Sequence, residues 1–227
     1  MIVRPSPNFG ERRDGKKPVM LIMHYTDTKA FADTVNILTD PDREVSAHYA
    51  VDLDGTIVQL VDEEKRAWHA GKSFWAGETD VNSASIGIEI QNYGHQFGYR
   101  NFPAPQMKAV LELSQGIIKR WGILPQNVLA HSDIAPGRKK DPGELFPWAW
   151  LAENGVGLWP RATEGKKAGD IKKLLIDYGY DHGLDIKILL EAFQRHFEPE
   201  AFRDNAVGVL TERTLHRINS LLAQKTC

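Results

Sequence analysis

The 227-residue chain has little cysteine: its single one, Cys227, is the last residue. An intrachain disulfide is therefore excluded, and a terminal thiol reads as a frayed surface group rather than a nucleophile. No run of about 18 apolar residues is present to span a bilayer. The N-terminus lacks an apolar stretch followed by a small-residue cleavage site, so a secretory signal is not visible and a cytoplasmic protein is expected. A periplasmic or outer-membrane-associated protein is the alternative if a signal peptide has been removed. Strong charge of one sign is missing too: the formal net charge is -2, which gives no global attraction to nucleic acid or anionic lipid. Neither a Gly-rich phosphate loop nor a Gly-x-Ser-x-Gly nucleophile elbow occurs. What remains is an ordinary globular composition, 42% hydrophobic and 26% charged. A monomer is expected.

Apolar runs and turn signals alternate along the first 160 residues. Residues 18–25 form a short apolar run suited to a buried strand and end in His24. Residues 29–38 have helical spacing. Residues 46–52 and 56–61 flank Asp54-Gly55, a hairpin signal. Residues 85–92 read as another buried strand, and 105–121 as the best helix, stopped by Gly122. This order predicts an α/β fold with a central sheet. A boundary falls near Trp159-Pro160, followed by the polar stretch 163–169. Helical patterns at 171–178, 186–197 and 211–222 then predict a small three-helix C-terminal domain. The expected division is 1–160 and 161–227, and a segment of roughly 60 residues is small enough to need packing against its neighbour.

The chemistry concentrates in His131-Ser132-Asp133-Ile134-Ala135-Pro136-Gly137-Arg138-Lys139-Lys140-Asp141-Pro142-Gly143. A rigid Pro/Gly-punctuated loop folds Asp141 back towards His131. His24 and His131 both stand at the mouth end of an apolar strand, where α/β sheets place their binding residues. His24, His131 and Asp141 together would make a zinc site with an open fourth position, at ligand distances of ~2.0–2.2 Å. Glu89 sits between Ile88 and Ile90. A buried carboxylate there has a raised pKa and suits a general base, whereas strand alternation also allows a solvated face. Either Lys139 or Lys140 could aim an ammonium at a developing oxyanion. Of the eight histidines, His48, His95, His182, His196 and His216 read as packing or surface groups. His69, in Trp68-His69-Ala70-Gly71, reads as a residue lining a cleft.

These blocks, with Met23-His24-Tyr25-Thr26, Ser46-Ala47-His48-Tyr49, Ser85-Ile86-Gly87-Ile88-Glu89 and Phe146-Pro147-Trp148, resemble the type 2 N-acetylmuramoyl-L-alanine amidases. That zinc family of AmpD-like and AmiD-like cell-wall enzymes is related to the peptidoglycan recognition proteins. The resemblance spans about residues 5–160 and implies a mixed central sheet flanked by helices. It implies Zn2+ held by His24, His131 and Asp141, Glu89 as general base and then acid, and Lys139 as oxyanion stabiliser with Lys140 a spacer. It also implies hydrolysis of the amide between N-acetylmuramic acid and L-alanine in peptidoglycan or muropeptides. Tyr49, Trp68 and His69 are the expected substrate contacts. Relatives often carry an acidic residue two positions after the catalytic Glu, where this chain has Gln91; a substrate or supporting contact there is put in doubt. The tail, through Leu190-Glu191-Ala192-Phe193-Gln194-Arg195-His196 and Gly208-Val209-Leu210-Thr211, is similar to a three-helix peptidoglycan-binding module. A non-catalytic peptidoglycan-recognition protein is the competing expectation. The missing secretion signal favours recycling of anhydro-muropeptides, whereas the tail favours wall polymer.

Overall fold

The computed structural model describes residues 1–162 and 168–225. Residues 163–167 of the polar stretch, and Cys227, lie outside the described residues. Eight strands are present among the described residues: β1 (Ile2–Val3), β2 (Phe9–Glu11), β3 (Met20–Tyr25), β4 (Tyr49–Val51), β5 (Ile57–Gln59), β6 (Lys65–Ala67), β7 (Ser85–Ile90) and β8 (Val128–Ala130). Six of them form one sheet in the order β1-β5-β4-β7-β3-β8. Only the β4–β5 hairpin is antiparallel within it, so the sheet is mixed, as expected. β2 and β6 make a separate antiparallel pair.

Strand alternation divides the sheet into two chemistries. Leu21 and Met23 of β3 and Ile86, Ile88 and Ile90 of β7 join one apolar core. The long helix α4 (Ala104–Trp121) covers it with Met107, Val110 and Ile117, and Gly122 ends that helix at φ 66°. Met20 and Ile22 of β3, with Leu129 of β8, face the other way. At the carboxyl ends of the strands this second face turns polar and carries His24 and Glu89.

The chain after Trp159 supplies helices α7 (Ile171–Tyr178), α8 (Ile186–Phe197), the short α9 (Glu200–Arg203) and α10 (Glu212–Gln224). Asp170, Asp185 and Thr211 cap α7, α8 and α10 by accepting backbone N–H groups of the first turn. Leu175, Tyr178, Leu189, Phe193, Phe197, Ile218 and Leu221 share one core with Met20, Ile22, Leu129 and Ile134. These helices thus cover the lower part of the sheet face that bears the polar residues. Among the described residues no helix is long and apolar enough to cross a membrane.

His48, just before β4, is fully buried. Its Nδ1 accepts the Gly87 N–H at 3.0 Å, and its Nε2–H points to the Lys65 carbonyl at 3.1 Å. A second proton would have to face the Gly87 N–H. Burial, and then the neighbouring Arg12 guanidinium, pull its pKa down to about 3. The folded value lies below the ordinary one, so the unfolded chain binds the extra proton first. Stability is therefore lost as pH falls below ~6.5, by on the order of 1 kcal/mol per pH unit until the folded value is reached. The thermal midpoint of the metal-free protein should fall accordingly between pH 6.5 and 4. The fall should be shallower in His48→Asn, whose amide oxygen can still take the Gly87 N–H; equal slopes would show that His48 does not carry the effect.

Candidate metal centre

In the parallel β3–β7 pair His24 is the register partner of Glu89, so the two side chains emerge side by side on the polar face. His131 opens the short helix α5 (His131–Ile134) directly after β8. The Ser132 N–H donates to the Asp141 carbonyl at 3.0 Å, closing the loop and returning Asp141 to His131. Asp141 Oδ2 then lies 3.0 Å from His24 Nδ1 and 2.9 Å from His131 Nδ1, and the two Nδ1 atoms are 2.9 Å apart. All three residues are buried. Among the described residues this is the one group of three His, Cys, Asp or Glu side chains placed to hold a metal.

The proton positions follow from the fixed acceptors at the ends of the network. Ser85 Oγ lies 2.6 Å from the Val81 carbonyl, which can only accept, so the hydroxyl proton goes there. Ser85 therefore accepts from His69 Nε2–H at 3.2 Å. His69 Nδ1 is left with a lone pair and accepts from His24 Nε2–H at 2.9 Å. Likewise, His131 Nε2–H donates to the Ala70 carbonyl at 3.1 Å. Both Nδ1 atoms consequently turn lone pairs towards the carboxylate oxygen of Asp141. Three mutually facing acceptors with no proton among them repel one another unless a cation sits between them, and neutral imidazole with carboxylate is a zinc-type donor set.

Burial dominates the electrostatics of the site. Burial, then the His131 ring, lower His24 to about 4. Burial and His24 hold His69 well below its ordinary value. Burial by itself raises Asp141; with no cation bound, protonation of the facing His131 and His24 rings would outweigh it and hold the carboxyl well below the usual range. Burial, and then the negative charge of Asp141, push Glu89 well above the ordinary carboxylate value. Glu89 is partly open to the cleft, but its Oε2 is buried and has no hydrogen-bond partner. The alternation within β7 thus places Glu89 over the site rather than on a solvated face.

A cleft of about 410 Å³ joins Glu89, His131 and Asp141 to Tyr25, Thr26, Asp27, His95, Arg138, Lys139 and Lys140. Both lysines are exposed. Arg138 donates to the carbonyls of Ala70, at 2.8 Å, and Lys72, at 2.7 Å, and so ties the ligand loop to the segment carrying His69.

Of the three expected substrate contacts, Tyr49 and Trp68 lie outside this cleft and His69 lines it. Tyr49 is the register partner of Ile88, not of Glu89, so alternation turns its ring to the α4 face. There its hydroxyl donates to Glu63 at 2.7 Å, away from the cleft. The half-buried Trp68 is outside the cleft lining, with its backbone N–H held by Ser46 Oγ. His69 touches the cleft but is 6% exposed, with both ring nitrogens committed to His24 and Ser85. Gln91 is buried and serves as a local hub: its Oε1 accepts from Thr26, Thr28 and Thr34, and its Nε2 donates to the Thr28 carbonyl.

Tyr25, Asp27 and His95 also line the cleft, although the sequence marked none of them as a site residue. The hydroxyl of Tyr25 lies 2.9 Å from His95 Nδ1, and His95 Nε2 lies 3.1 Å from Glu144. Asp27 has φ 50°, and its buried Oδ1 is without a partner. A Cβ on Gly94 would lie 2.0 Å from that oxygen, so only glycine leaves room for it.

An α/β fold with a buried His-His-Asp metal site beside a carboxylate of raised pKa and free cations defines a metal-dependent hydrolase. The sequence model of the Amidase_2 family, described as N-acetylmuramoyl-L-alanine amidase, matches residues 14–144. The chain is 39% identical over 216 residues to the N-acetylmuramoyl-L-alanine amidase AmiD of Escherichia coli (strain K12), covering 82% of this chain and 77% of AmiD. It is 34% identical over 162 residues to the 1,6-anhydro-N-acetylmuramyl-L-alanine amidase AmpD of the same organism, covering 64% of this chain and 86% of AmpD. Among solved structures, the complex of E. coli AmiD with anhydro-N-acetylmuramic acid-L-Ala-D-gamma-Glu-L-Lys superposes with a TM-score of 0.79 at 35% identity over 97% of this chain and 93% of that one. AmpDh3 from Pseudomonas aeruginosa superposes with a TM-score of 0.81 at 33% identity, over 97% and 95% of the two chains. The chain belongs to the N-acetylmuramoyl-L-alanine amidase family and is an enzyme of that activity.

The His24–His69–Ser85 chain yields a test. A Cβ on Gly87 would meet the His69 ring at 2.6 Å. Gly87→Ala should therefore displace His69 and weaken metal binding by roughly 10–100-fold, as should His69→Ala. Competition with a chelator at a temperature where the variants remain folded reads this directly; wild-type affinity in both would refute the orienting role.

Proposed function

We propose that the metal is zinc, and that the enzyme cleaves the amide between the lactyl group of N-acetylmuramic acid and L-alanine in peptidoglycan or muropeptides. The observation that carries this reading is the placement of Glu89. Its Oε2 is buried without a partner, it is in register with His24, and it lines the same cleft as His131 and Asp141.

His24, His131 and Asp141 would hold the ion. Zinc supplies Lewis acidity, lowering the pKa of water towards ~7 and polarising the scissile carbonyl. Glu89 takes the proton of the attacking water, which its raised pKa suits, and delivers a proton to the departing alanine nitrogen. Lys139, exposed at the cleft, directs its ammonium to the oxyanion, and Lys140 separates it from the ligand Asp141. Tyr25 and Asp27 line the cleft and are the substrate contacts of this reading, in place of Tyr49 and Trp68.

The substrate reading includes anhydro-muropeptides. AmpD is named for a 1,6-anhydro substrate, and AmiD and AmpDh3 have been crystallised with anhydromuramoyl peptides. Both structures align over 97% of this chain, which supports a catalytic unit at 1–160 joined to a peptidoglycan-binding-like unit at 161–227.

Metal analysis and product mass spectrometry test the roles together. Asp141→Ala should lose bound zinc. Glu89→Ala should keep it and lose turnover, and Lys139→Ala should lower kcat by about 10²–10³-fold with zinc retained. Release of L-alanine-terminated peptide from an anhydro-muropeptide is expected. A Glu89→Ala variant with full turnover would sink the base assignment, and binding without cleavage by the wild type would favour recognition alone.

A further inference from the structure

Asp133 lies two residues after the ligand His131 and is completely buried. Its Oδ2 accepts from the Ala130 N–H at 2.8 Å and from His196 Nδ1–H at 2.6 Å; its Oδ1 accepts from the Tyr180 hydroxyl at 2.7 Å. His196 and Tyr180 are each 1% exposed, and both belong to the C-terminal helical region. The His196 ring is stacked between Trp148, at 3.8 Å, and Phe197, at 3.7 Å.

The preceding residue of α8, Arg195, is ion-paired to Glu144, three residues beyond the ligand Asp141. Between these two anchors a Cβ on Gly137 would meet the Ile188 side chain at 3.0 Å, so the middle of the loop also lies against α8. Helix α8 therefore holds the ligand loop at both ends and supports its centre. None of these contacts belongs to the metal ligands or to the acid–base group.

We propose that α8 is a positioning element of the metal centre, in which His196 and Arg195 fix the loop that supplies His131 and Asp141. The physical basis is the cost of leaving Asp133 buried without its donors. If His196 is removed, the carboxylate must gain water or move. One of its two remaining bonds, to the Ala130 N–H, then carries the disturbance to the residue directly before His131. The C-terminal helices in this chain thus set how tightly the metal is held, besides covering the sheet.

The inference rests on His24, His131 and Asp141 as ligands, and the measurement is chosen to separate the two. In the full-length protein, zinc affinity is measured by chelator competition well below the melting temperature of each metal-free variant. His196→Ala should bind zinc roughly tenfold more weakly. His196→Asn, which places an N–H where Nδ1 was, should restore most of that loss. A role in packing alone would lower the melting temperature and leave the affinity of the folded protein unchanged, and that outcome overturns the proposal. Should His196→Ala not fold, Tyr180→Phe removes one donor and keeps the ring. A severalfold loss of affinity supports the proposal and wild-type affinity overturns it. Asp141→Ala serves as the reference: if it binds zinc like wild type, the ligand assignment fails, whatever the His196 variants do.

Discussion

The structure depends on three lone pairs meeting with no proton among them. His24 Nδ1, His131 Nδ1 and Asp141 Oδ2 stand 2.9–3.0 Å from one another. Such a cluster is unfavourable until a cation neutralises it, and much of the surrounding architecture prevents it from relaxing. The Ala70 carbonyl fixes one tautomer. The relay through His69 and Ser85 to the Val81 carbonyl fixes the other. Arg138, bonded to the carbonyls of Ala70 and Lys72, keeps the first of these acceptors in place. A ligand set held in this way spends little ordering on binding its metal, which is the physical meaning of a preorganised site.

Sheet geometry supplies the second constraint. Because successive side chains of a strand point to opposite faces, β7 can bury Ile86, Ile88 and Ile90 under α4 while presenting Ser85, Gly87 and Glu89 to the site. Each of the latter three has a distinct task. Ser85 ends the proton relay, Gly87 makes room for the His69 ring, and Glu89 turns a carboxylate with a buried, unpartnered oxygen to the cleft. A single-residue slip of β7 against β3 would exchange the isoleucines for the polar set and abolish core and site together. The apolar packing under α4 therefore guards the register on which His24 and Glu89 depend.

This explains how far the site was legible in the sequence. His24 and His131 end apolar runs, and Pro and Gly punctuate the loop to Asp141; these are local signals, and each corresponds to a local structural cause. The central sheet and the helix read at 105–121, which the structure places at Ala104–Trp121, were legible for the same reason. For Glu89 the local pattern was ambiguous, since alternation fits a solvated face equally well, and only the neighbouring strand and the cover over that face decide. For Tyr49 a motif block does not reveal strand facing; its register partner is Ile88, which turns it to the α4 side. The role of His69 behind His24, the strained Asp27 fitted over Gly94, and the bonding of Asp133 to His196 and Tyr180 all join residues distant in sequence. No periodicity or short motif encodes such pairs.

The C-terminal helices bring the two constraints together. The sheet face that carries the catalytic groups is apolar below them, at Met20, Ile22 and Leu129, and exposing it to water would be costly. Helices α7, α8 and α10 cover it with Leu175, Leu189, Phe193 and Ile218. Once α8 lies there, its remaining face runs beside the loop that leaves β8. Arg195 and His196 occupy that face and meet Glu144 and Asp133. Burial of the sheet and restraint of the ligand loop thus follow from a single docking of one helix. An element of this kind cannot loosen without changing both the core and the environment of the metal site. Any binding of wall polymer by these helices would therefore have to use surfaces other than the α8 face, which is already occupied by the ligand loop.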